Sequence, residues 1–316
     1  MKYFYVSFLF FFTLTLFGQE KFSKEISLIT DNDLYVSTKR DRYYTSGFFL
    51  NYRYLTDVSS DKIEKKIIEL QLGQELYNPN KPNVKDLSEH DRPFAAYLYA
   101  SYGVSRIYKK NRIFNTSLQV GVIGPNAFGK EVQNFIHDIY GFEEATGWQY
   151  QISNAIGLNF NAEYMHFLSK SKANGRDLTW INNVKIGTVF TNISSGFLVR
   201  FGFNELTNML NSIAFGSHLN NQKNNSYRKV ESFLFIKTMF RYTFYDATLQ
   251  GSFLNNNSII TKELVPFVFD LAIGIKFTAK RLNFGYTFNY NTNKSKGLRF
   301  NYGNKYGSIN LSYLLH

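Results

Sequence analysis

The sequence predicts an all-β protein, a single 12-stranded antiparallel transmembrane β-barrel with a short helix in an external loop. The first observation is a period-two alternation: from Arg281 to Tyr290, apolar side chains hold the even positions and polar or small residues the odd ones. The second is composition, because 32 Phe and 23 Tyr against 2 Trp favour strands and membrane-interface girdles. A soluble β-sandwich also alternates, but here the second face mixes glycine with charged and amide residues, which is typical of a barrel lumen.

The N-terminal segment resembles a secretory signal peptide. Lys2 is followed by a nearly unbroken apolar run from Phe4 to Phe17, and Gly18 then precedes Gln19. The run is shorter than the ~20 residues that a membrane-spanning helix needs. We therefore predict a signal peptide at residues 1–18 and an outer-membrane β-barrel at residues 19–316, located in the bacterial outer membrane.

Runs of alternating residues predict the twelve strands, an even number that suits a closed outer-membrane barrel with both termini in the periplasm. Strand 1 then runs outward, so the loops after odd-numbered strands are external. The link 206–228 is long and polar yet falls on the periplasmic side, and no sequence feature explains it. The predicted strands are residues 24–33, 45–56, 66–76, 95–108, 112–124, 157–169, 177–191, 194–205, 229–246, 263–279, 281–292 and 305–316.

One short helix interrupts this pattern in the third external loop, residues 125–156. We predict it at residues 127–140, with Asn126 as its N-cap and Gly141 as its left-handed C-terminal residue.

The predicted helix has two neighbouring stripes. Gln133 and His137 lie one turn apart, so both can face the surface on which the helix packs. We expect that surface to be the barrel rim near strands 1 and 2. An adjacent apolar stripe, also expected to pack on apolar surface, contains Val132, Ile136 and Ile139.

Composition limits the possible chemistry. Without cysteine there is no disulfide and no thiolate metal site, and the five histidines include no close pair for zinc. Carboxylates remain as hard metal ligands. The net charge of +12 suits an anionic membrane surface or a phosphorylated lipid, although basic excess also occurs in nucleic-acid binders.

Polar groups cluster at the predicted outer ends of strands. Asn32 and Asp33 end strand 1, and Thr45 opens strand 2, so all three reach the same rim. Alone, an Asn-Asp pair is usually a turn former. Together with His137 in the loop above, the carboxylate, amide and hydroxyl oxygens suit a calcium ion beside a histidine that can deprotonate water.

This combination resembles the outer-membrane lipid A 3'-O-deacylase family. The resemblance covers essentially the whole mature chain, and its motifs occur in the family's order. They are Asn32-Asp33, the Asp41–Gly47 box, Asp91-Arg92-Pro93-Phe94-Ala95, Gly124-Pro125 leading to Gln133-x-x-x-His137, and Gly147-Trp148-Gln149-Tyr150-Gln151.

The resemblance implies a calcium-dependent esterase that removes the 3'-linked acyloxyacyl group from lipid A of lipopolysaccharide. His137 would be the general base, with Gln133 nearby. Asn32, Asp33 and Thr45 would build the calcium and oxyanion site. The further candidates that it implies are Glu143 and Glu144 as extra metal ligands or orienting groups, and Arg92 and Arg42 as contacts to a lipid A phosphate.

The chain departs from the family pattern at two places. Phe94-Ala95-Ala96-Tyr97 stands where Tyr-Ala-Gly-Trp is usual, and Asn154-Ala155-Ile156 replaces an Asn-Glu-Pro bend. Neither change removes a proposed catalytic group.

Two other functions are also compatible with an outer-membrane barrel. A serine-based outer-membrane phospholipase would carry a His-x-Ser pair, and no histidine here has Ser two residues later. A non-enzymatic barrel, a pore or surface-binding protein with the loop helix as a plug, explains the strands but not the convergence of the polar groups. We therefore predict a monomer that acts on lipid A, requires Ca²⁺ and binds no nucleic acid.

Overall fold

The protein was analysed as a computed structural model that describes residues 21–36, 42–58, 60–81, 83–84, 86–171, 175–221 and 230–316. The predicted signal peptide, residues 1–18, lies outside this part of the chain. Asp41 of the strand-2 motif also lies outside it.

The described residues form one closed barrel of twelve antiparallel strands, in which each strand pairs with its chain neighbours and β12 pairs with β1. The predicted fold class is confirmed, and most predicted strand ends lie within three residues of the observed ones. The strands are β1 Lys24–Asn32, β2 Tyr43–Thr56, β3 Ile63–Asn78, β4 Ala95–Tyr108, β5 Arg112–Ile123, β6 Ala155–Ser171, β7 Arg176–Gly187, β8 Phe190–Gly202, β9 Ser232–Asp246, β10 Phe267–Ala279, β11 Leu282–Asn291 and β12 Asn304–Leu315.

Alternation along each strand separates an apolar outer face from a polar lumen. On β2, Asn51 and Arg53 line a lumen cavity of about 440 Å³, whereas Leu50, directly before Asn51, points outward and is exposed. Leu72 on β3 and Val120 on β5 are exposed on the same outer face. Such a face suits the hydrocarbon of a membrane. Among the helices that the structure describes, none is long and apolar enough to span a membrane.

The predicted loop helix is present as α1, Gly129–Tyr140. Gly141, with φ 71°, ends it in the left-handed conformation as predicted. The predicted N-cap is wrong, because Pro125–Ala127 form a separate 3₁₀ turn and the helix starts after Phe128, whose side chain makes no capping bond. Asn126 instead donates its backbone N–H to Asn154 Oδ1.

The unexplained link between β8 and β9 folds back into the periplasmic end of the lumen. We call its described residues 203–221 the lumen plug. Its apolar side chains share one core with lumen-facing residues of the wall such as Ile67, Ile107 and Phe233. The buried apolar side chains of the plug are Leu206, Met209, Ile213, Phe215 and Leu219.

A buried ion-pair network on the wall binds the lumen plug through Ser212. Arg200 on β8 is fully buried and binds both carboxylate oxygens of Asp177, with Nε–Oδ1 at 3.0 Å. Its Nη1 contacts Glu231 at 3.0 Å and also donates to Ser212 of the plug. Each of these buried charges has a partner, and Ser212 connects the network to the plug.

External loops are tied together at the opposite end. Asp91, in the loop before β4, accepts hydrogen bonds from the Tyr43 hydroxyl and from the backbone N–H of Arg299. Arg92 Nη2 donates to the Thr248 carbonyl at 3.1 Å, in the short helix α2, Ala247–Gln250. These contacts connect three external loops that are far apart in the sequence.

Candidate active site on the outer face of the barrel

Helix α1 lies on the outer face of the barrel wall, over β3 to β5. Ala127 and Val132 share an apolar cluster with side chains of the barrel wall. These wall side chains are on the same outer face as the exposed Leu72 and Val120. The Gln74 amide, on the same outer face, donates to the Ala127 carbonyl at 2.7 Å. The wall members of the cluster are Leu76, Ala96, Leu98 and Val122. The helix therefore packs outside the lumen over β3 to β5, whereas the expected position was the rim near strands 1 and 2.

The helix buries its polar stripe and exposes apolar residues. Gln133 and His137 are each 4% exposed, as the prediction that they face the packing surface requires. Ile139 is 64% exposed and Phe135 65%, so the expected packing of the apolar stripe against protein is wrong for Ile139. The exposed Phe135 and Ile139 suit an apolar surrounding on this side of the helix.

Trp148 is seated beneath the helix start, where the lack of a side chain at Gly129 makes room for it. A Cβ at Gly129 would lie 2.4 Å from the Trp148 ring and 2.5 Å from the Ala96 methyl. The Phe94 ring packs against the indole with centroids 5.0 Å apart. An alanine at this position would have to displace the indole or the Ala96 methyl group.

A chain of hydrogen bonds runs through the buried stripe. Trp148 Nε1 donates to Gln133 Oε1 at 2.6 Å, and Gln133 Nε2 lies 3.3 Å from His137 Nε2. His137 Nδ1 lies 2.5 Å from the Glu143 carbonyl oxygen. A carbonyl can only accept, so Nδ1 carries the proton and neutral His137 keeps its lone pair on Nε2. The imidazole is thus in the tautomer that a base acting through Nε2 requires.

The rim groups of β1 and β2 lie on the same outer side of the wall. Asn32 and Ser46 are register partners, and Asn32 Nδ2 donates to Ser46 Oγ at 3.2 Å. Thr45, at a bulge in β2, donates to the Leu76 carbonyl at 3.4 Å. Leu76 belongs to the apolar cluster beneath α1. The structure therefore brings Asn32 and Thr45 to the wall that carries the helix.

Asp33 joins this rim. Asn32 Oδ1 caps the 3₁₀ turn Asp33–Tyr35, and Asp33, 2% exposed, accepts the Arg42 N–H at 2.9 Å. No three His, Cys, Asp or Glu side chains in the described part of the chain form a metal-binding group. A cation here would be bound by one carboxylate with amide, hydroxyl and carbonyl oxygens, a donor set that fits calcium.

The structure does not bring the Glu143 carboxylate to the Asn32–Asp33 rim. It is exposed and accepts from Asn83 Nδ2 at 2.7 Å. Glu144 binds Asn134 at 3.0 Å, also at the surface. Only the backbone carbonyl of Glu143 contributes to the site, through His137, so its expected role as a metal ligand is not supported by its position.

The two arginines have different surroundings. Arg92 is buried among the external loops, with its guanidinium 4.8 Å from the Tyr77 ring centroid. Burial lowers the pKa of Arg92, and nearby Asp246 opposes this effect. Its Nε and Nη2 donate to the backbone carbonyls of Pro93 and Thr248, so a contact between Arg92 and a lipid phosphate is not supported. Arg42 is half-buried at the rim and stacks 3.8 Å above Phe300, where a headgroup can approach it.

Sequence reasoning assigned no role to Trp148, to Ser46 or to the lumen plug. Trp148 had one available signal, since it is one of only two tryptophans in a chain rich in other aromatics. Its partner Gln133 lies 15 positions away on the helix. That contact depends on the fold.

Comparisons with known proteins agree with this architecture. The model of the family described as "Outer membrane protein LpxR" matches residues 4–315. The solved structure of LpxR from Salmonella typhimurium has a TM-score of 0.71 and 21% sequence identity, covering 92% of this chain and 100% of that one. The beta domain of the Bordetella autotransporter BrkA has a TM-score of 0.48 and 8% identity, covering 93% and 99%.

No curated protein sequence matches the chain. The family match nevertheless extends over nearly all of it, and the LpxR structure shares its barrel fold. The chain belongs to the LpxR family of outer membrane proteins.

Proposed function

We propose that the protein is a calcium-dependent ester hydrolase that removes the 3'-linked acyloxyacyl group from lipid A in the outer membrane. The observation that carries the proposal is the placement of His137. Its Nδ1 must donate to the Glu143 carbonyl, so the neutral ring carries its lone pair on Nε2, and the side chain is buried. Family membership supports the substrate class.

His137 serves as the general base. Nε2 takes a proton from a water molecule, and the water oxygen attacks the ester carbonyl carbon. The proton then passes to the leaving alkoxide as the carbon–oxygen bond breaks, which yields a carboxylic acid and an alcohol. Gln133 holds an amide NH₂ beside Nε2 and can donate to the oxygen of that water.

Asn32, Asp33 and Thr45 would hold the calcium ion and border the oxyanion position. When bound, the ion supplies positive charge that stabilises the negative carbonyl oxygen of the transition state. Arg42 at the same rim contacts a phosphate of the headgroup.

The substrate reaches the site from the membrane. Exposed Phe135 and Ile139 on the helix lie beside the outer wall, where Leu72 and Val120 are also exposed. Acyl chains can remain against these surfaces while the ester rises to the polar rim.

The pore or plugged-barrel alternative gains no support from the geometry. Helix α1 packs on the outer wall, and the segment inside the lumen is instead the plug between β8 and β9.

The test is mass spectrometry of lipid A incubated with the purified, refolded barrel. The wild type is expected to release the 3'-linked group, and His137→Ala is expected to release none while it keeps the heat-modifiable barrel. His166→Ala, on β6 and away from α1, is the matched control and should retain activity. Full activity of His137→Ala would remove this residue as the base, and an inactive wild type would remove the proposed function.

A further inference from the structure

We propose that Trp148 is a positioning residue for the base: its indole N–H holds the Gln133 amide in the one orientation that leaves the His137 Nε2 lone pair usable. The inference rests on the proposed function, since it assumes that His137 acts as the base.

The two ends of the hydrogen-bond chain determine which atom donates and which accepts in each of its contacts. An indole N–H can only donate, so the Gln133 atom beside it, 2.6 Å away, must be the oxygen. The NH₂ of that amide then faces His137. At the other end the Glu143 carbonyl can only accept, so His137 Nδ1 must carry its proton.

Gln133 and His137 are therefore matched where they meet, because an NH₂ donor faces an unprotonated nitrogen at 3.3 Å. This separation is longer than the usual hydrogen bond, so the contact is weak and a water molecule can replace it. Once displaced, the NH₂ can donate to that water while Nε2 accepts its proton.

Without the indole N–H, the hydrogen bond that selects this amide orientation is lost, and the opposite orientation becomes accessible. Its oxygen would then face Nε2, and two acceptors would meet unless Nε2 became protonated. Because Nδ1 already needs its proton for the Glu143 carbonyl, a proton on Nε2 would make the ring a cation with no lone pair. The indole thus prevents an arrangement in which His137 cannot act as a base.

The seat of Trp148 is rigid enough for this task. The side chain is 1% exposed and lies against Phe94, Ala96 and the bare Gly129 backbone. The indole N–H is its only polar atom, and the hydrogen bond to Gln133 uses it.

The decisive experiment removes the N–H and keeps the ring shape. Trp148 is replaced by 3-benzothienylalanine, which carries sulfur in place of the N–H, in a Trp180→Phe background so that only one position changes. Trp180 is the matched control, because it faces outward on β7 and its N–H binds Ser195 at 3.0 Å, far from α1. Trp180→Phe alone should keep wild-type turnover.

We expect kcat to fall about tenfold, with KM within about twofold, because the loss of one orienting hydrogen bond acts on the base and not on substrate binding. Trp148→Phe should show at least the same loss. A residue that acts only through packing would leave the isosteric variant at full kcat, and that result would overturn the inference.

A double-mutant cycle tests whether Trp148 acts through Gln133. In a Gln133→Ala background the isostere should cause no further loss of kcat, since there is no amide left to orient. Independent, additive losses would overturn the inference.

A third readout needs no activity. With two tryptophans, the indole N–H resonances of the folded barrel are assigned by Trp180→Phe, and the Trp148 signal should shift when Gln133→Ala removes its acceptor. An unmoved signal contradicts the inference alone, whereas an active His137→Ala contradicts the proposed function.

Discussion

Position 129 shows how one residue type maintains the site. Glycine is there because any Cβ would collide with Trp148 and Ala96. The family pattern has glycine where this chain has Ala96, so the chain has a methyl group at the same contact. The two small residues together set the distance between helix and wall.

We predict that Gly129→Ala lowers both stability and turnover, although alanine is the better helix former. Overpacking against the indole should cost about 1–3 kcal/mol and displace the hydrogen bond to Gln133. The measurements are the thermal unfolding midpoint in detergent and kcat on lipid A.

Lys130→Ala, on the exposed side of the same helix turn, is the control and should change the midpoint little. If Gly129→Ala were as stable as the wild type, the tight seat of Trp148 would be contradicted.

Calcium dependence can be tested at Asp33. We predict that a chelator stops the reaction and that Asp33→Asn raises the calcium concentration for half-maximal activity roughly tenfold or more, because a carboxylate ligand loses its charge. Calcium titrations of hydrolysis check both.

Asp31→Asn is the control two positions away. Asp31 points into the lumen, where Tyr44 donates to it at 2.7 Å, so its substitution should leave the calcium requirement unchanged. Hydrolysis that is insensitive to chelators would argue decisively against the metal.

Residue types together with helix and strand periodicity predicted part of the candidate site. His137, Gln133, Asn32 and Asp33 could be placed because helix and strand periodicity puts them on particular faces. The position of Arg92 could not be predicted, since its partner Thr248 is 156 positions away. The contact of Glu143 with His137 could not be predicted either, because it uses the backbone carbonyl, which every residue type has.

At the scale of elements, helix α1 exposes apolar residues, among them Phe135 and Ile139, on the side away from the barrel wall. The alternation that defines the strands predicted which wall residues face outward, and the C-terminal end of the helix followed from Gly141. Its N-terminal end and the strands on which it packs were not predicted. Whether the apolar stripe contacts protein or lipid could not be predicted, because the amphipathic pattern of the sequence is the same in both cases.

We predict that placing charge on this apolar side reduces activity on membrane-bound substrate. Phe135→Asp combined with Ile139→Asp should raise the apparent KM for lipid A in vesicles, because burying a carboxylate in hydrocarbon is unfavourable. The kcat on a short-chain soluble ester should be unaffected.

Glu131→Lys, on an exposed polar position of the same helix, is the control for a simple change of surface charge. Equal losses on both substrates would indicate damage to the site and would contradict a membrane contact.

For the whole molecule, the sequence predicted the closed barrel but not its contents. The link 206–228 looks polar because the five apolar side chains buried in the lumen core are scattered among Asn and Ser. Their convergence inside the lumen depends on the curvature of the closed wall, which no local pattern encodes.

The absence of cysteine allows the lumen plug to be tested directly. A single Ser117→Cys, in the lumen cavity, should react slowly with a charged thiol reagent in the folded barrel. Replacing residues 206–221 by a short flexible linker should make it react much faster.

Replacing α1 in the same way should leave the labelling slow, because the helix is outside the wall. Faster labelling after removal of α1 alone would reinstate the helix as the plug and favour the pore.

The lumen plug also has a consequence for how the chain folds. Phe22 and Asn220 exchange hydrogen bonds at 2.9 and 2.8 Å, and His218 contacts Glu25 of β1 at 2.5 Å and Asn283 of β11 at 3.2 Å. A segment from the middle of the chain thereby bridges the first strand and the last hairpin. Such long-range contacts form late, so closing the barrel and docking its interior become a single cooperative step. Separating β1 from β12 must break this bridge as well, which raises the barrier to unfolding and lengthens the lifetime of the native barrel.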